Sequence, residues 1–115
     1  MQKIAFFAFR DDETCFVHVL LSVLDFQARG GEAVLVFEGA ATRLIPLLAG
    51  ESHPLHRLYC KAKESASIEG AGLACSRKMG ILDAVKQEGL PFLDELNGHP
   101  AMSRYTEQGY QVVVM

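Results

Sequence analysis

Two short stretches of this chain leave little choice about how they are used. Lys3-Ile4-Ala5-Phe6-Phe7-Ala8-Phe9 and Ala33-Val34-Leu35-Val36-Phe37 carry no polar side chain after the opening lysine. A half-exposed strand alternates apolar and polar residues. Runs apolar on both faces belong instead to strands covered on both sides, as in parallel sheets. The segment between them has a different rhythm. Phe16, Val19, Leu20, Val23, Leu24 and Phe26 recur at helical spacing from Cys15 to Arg29. Asp12 or Thr14 stands where an N-cap is needed, and Gly30-Gly31 supplies the stop.

The rest of the chain continues the alternation. Ala40 to Ala49 reads as a short helix that Pro46 breaks or kinks. A second helical piece runs from Leu55 to about Ser65, with Pro54 suited to its first turn. Ala71 to Cys75 reads as a short third strand, and Ser76 as the cap of a helix reaching Gly89. Leu90 to Leu96 is a fourth strand that Pro91 and Asp94-Glu95 keep short or irregular. His99-Pro100 opens a last helix closed by Gly109, and Tyr110 to Met115 is a final strand. The 115 residues make a single domain, 1–115. Strands alternating with helices imply an α/β fold with a parallel sheet covered on both faces. All strand-to-helix turns then share the carboxyl edge of the sheet, where ligand sites of such sheets lie. Cys15 follows the first strand, Glu38 and Gly39 the second, and Asn97 to His99 the fourth, while Cys75 ends the third.

Charge and composition exclude several classes. Eleven Lys and Arg against 14 Asp and Glu give a net charge of −3, which argues against a nucleic-acid partner. No apolar stretch approaches the ~18 residues of a membrane span. The opening apolar run leads into Arg10-Asp11-Asp12-Glu13 without a small-residue cleavage site, so no secretory leader is expected. Cys15, Cys60 and Cys75 are odd in number and form no CxxC, which suits a reducing cytoplasm.

Cys75 is the sharpest chemical candidate. At a strand end and a helix start, a thiol meets free backbone N–H groups and the positive end of the helix dipole. Ser76 at the cap and Arg77 and Lys78 in the first turn support the same outcome, a stabilised thiolate. Cys15 has a similar address, but Asp11, Asp12 and Glu13 oppose its ionisation, and packing is the better reading. A redox pair of Cys15 with Cys75 is a weaker idea, and Cys60 reads as filler. Among the histidines, His99 lies in a Gly-His-Pro turn and serves as a cap or proton shuttle. His18 falls three residues after Cys15, and His53 and His56 flank Pro54. No carboxylate or cysteine stands at a recognised ligand spacing, so neither a metal nor an organic cofactor is expected. Gly70-Ala71-Gly72 precedes its strand and is no dinucleotide fingerprint.

The opening Lys3 to Phe9, the long helix after it, Val34 to Gly39, Gly72-Leu73-Ala74-Cys75-Ser76-Arg77-Lys78-Met79-Gly80 and the closing Gly109 to Val114 resemble the DsrE/DsrF-like proteins. That resemblance implies a three-layer α/β/α sandwich with a five-stranded, mainly parallel sheet, assembled as a trimer or hexamer. It also implies sulfur relay, in which a cysteine after the third strand takes sulfur as a persulfide and passes it on. Cys75 falls at that position. A sulfur donor and an acceptor protein are the implied partners. The competing reading is a non-catalytic, oligomeric binding module. Its pocket at the sheet edge would be lined by Cys15, the Arg10 to Glu13 turn, Gly39 and His99, with Cys75 merely packed there.

Overall fold

The computed structural model describes residues 1–115. Five strands form one sheet: β1 (Lys3–Ala8), β2 (Glu32–Phe37), β3 (Ile68–Gly72), β4 (Phe92–Leu93) and β5 (Gln111–Val114). Their order is β4-β3-β2-β1-β5, and every pairing is parallel. The expectation of a mainly parallel sheet is therefore sharpened to an all-parallel one. The helices are α1 (Glu13–Ala28), α2 (Leu44–Leu48), α3 (His56–Glu64), α4 (Leu73–Lys78), α5 (Leu82–Gln87) and α6 (Met102–Glu107). A 3-10 turn, Gly39–Arg43, leads into α2. The architecture is a three-layer α/β/α sandwich.

Chain direction decides which helix covers which face. β1 to β4 step across the sheet in one direction, then the chain returns to set β5 on the far side of β1. Right-handed crossovers place helices of same-direction steps on one face and that of the reverse step on the other. Ile4, Phe6 and Ala8 of β1 and Ala33, Leu35 and Phe37 of β2 accordingly join α1, α2, α3 and α5 in a core of 20 buried residues. Ala5, Phe7, Val34 and Val36 face the other way and share a smaller core of 6 with Leu93 and Tyr105 of α6. The Tyr105 ring meets Phe7 edge-on at 5.4 Å. Its hydroxyl donates to Glu69 on β3 at 3.0 Å, and Arg104 reaches the same carboxylate oxygen at 3.1 Å.

Several boundaries depart from the sequence expectation. Asp12 is the cap of α1; its carboxylate accepts the N–H groups of Thr14 and Cys15. Pro46 is the third residue of α2, in the first turn, where a missing N–H costs little. The third strand ends at Gly72, so Cys75 lies inside α4 and does not end a strand. Ser76 is a buried interior residue of α4 and not its cap; its Oγ has no hydrogen-bond partner. The single helix expected to reach Gly89 is two, parted at Gly80 with φ +73°. β3 bulges, since Leu35 pairs with Ile68 but Val36 with Gly70. Gly70 has φ +151°, and a Cβ there would stand 2.3 Å from Pro91 O, so glycine lets β4 approach.

Candidate functional site

Three chain segments converge at the carboxyl ends of β2, β3 and β4. Glu38 is the first residue past β2 and only 5% exposed. Its carboxylate lies across Gly72, where a Cβ would stand 1.9 Å from Glu38 Oε1. Glycine at the start of α4 thus makes room for the acid. Cys75, the third residue of α4, is half-buried. His99 is delivered by a tight turn. Asn97 and Gly98 have φ +49° and +87°, both positive as a two-residue type I′ connection requires. Leu96 and His99 exchange backbone hydrogen bonds of 2.8 and 2.9 Å around it. Gly98 O accepts the Ala74 N–H at 2.8 Å, a donor that the first turn of a helix leaves free. That bond fastens the His99 turn to the Cys75 helix.

His99 Nδ1 lies 2.8 Å from Glu38 Oε2 and 3.9 Å from Cys75 Sγ. One donor atom from each of Glu38, Cys75 and His99 lies within 4.8 Å of the other two. A carboxylate oxygen accepts, so this bond runs from the Nδ1–H tautomer of His99 to Glu38 Oε2. The same ring nitrogen faces both partners. In a nucleophile–base–orienter triad the imidazole uses its two nitrogens for two different neighbours. Here the three groups converge on one point instead of forming a series.

This setting reverses the expected state of Cys75. Burial pushes the thiol above its ordinary range, and the hydrogen bond to Glu38 and the negative charge of that residue push it further. A hydrogen bond from the Gly39 backbone and the charge of Lys78 act the other way and are outweighed. Cys75 is therefore held as a thiol, not the thiolate inferred from its helix. Of the supporting residues inferred with it, Arg77 and Lys78 are exposed, and Ser76 Oγ has no partner.

The remaining candidates separate. Gly39 directly follows Glu38 and opens the 3-10 turn. Cys15 Sγ faces the cap carboxylate, 3.7 Å from Asp12 Oδ2. It follows β1, which β2 separates from β3. Cys15 and Cys75 are both free thiols, on the different helices α1 and α4. His18 is exposed on α1. His53 and His56 turn to separate partners: the Leu55 N–H at 3.0 Å and Leu48 O at 2.7 Å. Cys60 packs against the main core, with its Sγ 3.3 Å from His56 Nε2. The residue that sequence reasoning left without a role is Glu38. Its signal was a lone carboxylate directly after a fully apolar strand. The strand order reverses between β1 and β5, yet the site lies on the other side of β1. The largest surface concavity, about 460 Å³, is lined by His53, His56, Arg57 and Lys61 among others and not by the site.

No family model matches the chain. A solved structure, of the conserved protein of unknown function BT1422 from Bacteroides thetaiotaomicron, superposes with a TM-score of 0.72. The match covers 99% of this chain and 95% of that one at 15% identity, so the two share the fold. The uncharacterized protein MJ0733 of Methanocaldococcus jannaschii is 26% identical over 97 residues, 84% of this chain and 77% of that protein. An uncharacterized protein of Archaeoglobus fulgidus is 41% identical over 58 residues, which are 50% of this chain and 93% of the archaeal one. With nearly the whole of that protein matched at this identity, the chain belongs to the family of the Archaeoglobus fulgidus protein.

Proposed function

We propose that the chain is a persulfide carrier of the kind its resemblance to DsrE/DsrF-like proteins implies, with Cys75 as the sulfur-bearing residue. The observation that carries this reading is the juxtaposition of a half-buried thiol with a proton acceptor. Cys75 is within 4.8 Å of the Glu38 carboxylate, which His99 holds by a 2.8 Å hydrogen bond. Glu38 takes the thiol proton. The thiolate attacks the outer sulfur of a donor persulfide, R–S–SH. The donor S–S bond breaks, R–S⁻ leaves and is protonated, and Cys75–S–SH remains. No oxidant is consumed, because the sulfur transferred is already at the sulfane level. An acceptor thiolate then attacks the outer sulfur, and Cys75 departs as thiolate and recovers its proton from Glu38. On this reading the chain works in the cytoplasm as a homo-oligomer, a trimer or hexamer, between a sulfur donor and an acceptor protein.

Intact-protein mass spectrometry after exposure to inorganic polysulfide, without reductant, tests the assignment. The wild-type chain is expected to gain one reductant-labile sulfur atom that Cys75→Ala does not gain. No gain, or an equal gain in the variant, removes Cys75 as the carrier and favours the binding-module reading.

A further inference from the structure

We propose that Glu38, Cys75 and His99 form a mononuclear site for a zinc-type divalent cation, with a fourth coordination position open to solvent. The inference stands on the convergence of the three groups and holds whether or not Cys75 carries sulfur. Thiolate, imidazole and carboxylate are all donors that zinc takes. Zinc bonds of about 2.0–2.3 Å at tetrahedral angles space donor atoms roughly 3.4–3.6 Å apart. The Nδ1–Oε2 distance of 2.8 Å and the Sγ–Nδ1 distance of 3.9 Å bracket that spacing. Seating an ion requires the first pair to open slightly and the second to close.

Two further observations point to a ligand. Glu38 is only 5% exposed, and its Oε1 has no hydrogen-bond partner. A buried carboxylate with one oxygen unpaired is unfavourable, and a cation bound to the group offsets charge that the protein's own donors leave uncompensated. The charges of one thiolate and one carboxylate balance a doubly charged ion, so the filled site is neutral. The surroundings also suit an ion. Gly72 leaves room for the acid, and the His99 side chain is 44% exposed. Three protein ligands with a solvent-facing fourth position is the pattern of reactive zinc centres. Local spacing could not reveal it, because His99 lies 24 residues from Cys75 and 61 from Glu38.

Cobalt(II) tests the site, because a thiolate–cobalt bond gives an ultraviolet charge-transfer band and four-coordinate cobalt gives strong visible bands. Metal-free full-length protein titrated with cobalt is expected to develop both bands at one equivalent, and zinc should displace them. Cys75→Ser should abolish the charge-transfer band. His99→Gln and Glu38→Gln should each weaken cobalt binding about tenfold or more. Circular dichroism establishes which variants are folded, and His99→Gln carries the test if Glu38→Gln is not. Cys60→Ser should leave the spectrum unchanged, since no third ligating group stands within ligand spacing of Cys60 and His56. Absence of a thiolate band in the wild type, its survival in Cys75→Ser, or its loss in Cys60→Ser would overturn the assignment. Sulfur uptake is measured separately on metal-free protein, so the failure of either reading is distinguishable from that of the other.

Discussion

Gly72 shows how much of the site rests on an atom that is missing. Its backbone does not demand glycine, since φ is −58°. The constraint is steric: a Cβ would meet Glu38 Oε1 at 1.9 Å and Pro100 Cδ at 3.2 Å. Gly72→Ala should therefore cost about 1–3 kcal/mol of unfolding free energy in urea, the usual range for an overpacked buried site. Shortening the acid removes the main clash. The double variant Gly72→Ala with Glu38→Ala should be more stable than the sum of the single changes allows, by about 0.5 kcal/mol or more. Strict additivity would mean that the acid does not lie where the structure puts it. At this scale the sequence identified addresses better than states. The carboxyl-edge positions of Glu38, Cys75 and His99 followed from the strand–helix alternation. The protonation state of Cys75 did not, because it depends on a carboxylate 37 residues away in the chain, a separation read from residues 38 and 75.

The elements were legible where one signal dominated. Fully apolar runs located β1 and β2, and cap and stop residues bracketed α1. They were less legible where tertiary contact decided. The third strand ends at Gly72, where the Glu38 side chain lies across it, and β4 is only Phe92–Leu93 beside the bulged β3. The Gly-His-Pro reading placed His99 in a turn, but the Asn97-Gly98 dipeptide, whose residues both have positive φ, is what aims it. Helix α6 is a further case, because this six-residue helix provides the buried tyrosine of the smaller core. Its attachment depends on Tyr105, whose ring is 1% exposed and packs on Phe7. Tyr105→Ala should lower unfolding free energy by about 3–5 kcal/mol, as aromatic truncations in cores do. Tyr105→Phe keeps the ring and loses the bond to Glu69, at about 0.5–1.5 kcal/mol. Similar losses for both variants would show that the hydroxyl, not the ring, holds α6.

Over the whole molecule, the two cores make stability dependent on pH from both sides. Burial raises the phenols of Tyr59, Tyr105 and Tyr110 above the ordinary value of 10.0. Neighbouring acids contribute: Tyr59 donates to Glu88 at 2.5 Å and Tyr105 to Glu69 at 3.0 Å. A raised phenol keeps its proton in the native state under conditions where the unfolded chain releases it. The native state then binds more protons, and alkali favours unfolding. This contribution is complete below pH 10.0 and is lost as pH rises above it. Each phenol so held adds a slope of about 1.4 kcal/mol per pH unit. Glu88 has the opposite sign. Burial opposes its ionisation, but hydrogen bonds from Tyr59 and Lys63 prevail and hold its carboxyl below the ordinary 4.5. Its contribution is present above that value and is lost as pH falls through the lowered one. Urea unfolding across this range should give a plateau bounded by a fall on each side. Tyr59→Phe removes the titrating hydroxyl and should flatten the alkaline limb by about one phenol's slope. It also takes a hydrogen bond from Glu88, so the acid limb should shift toward higher pH. Tyrosinate absorbance provides the independent check: Tyr59 and Tyr105 should ionise together with loss of the fold. If they titrate near pH 10.0 while the protein stays folded, the two rings are not buried against their acids as described.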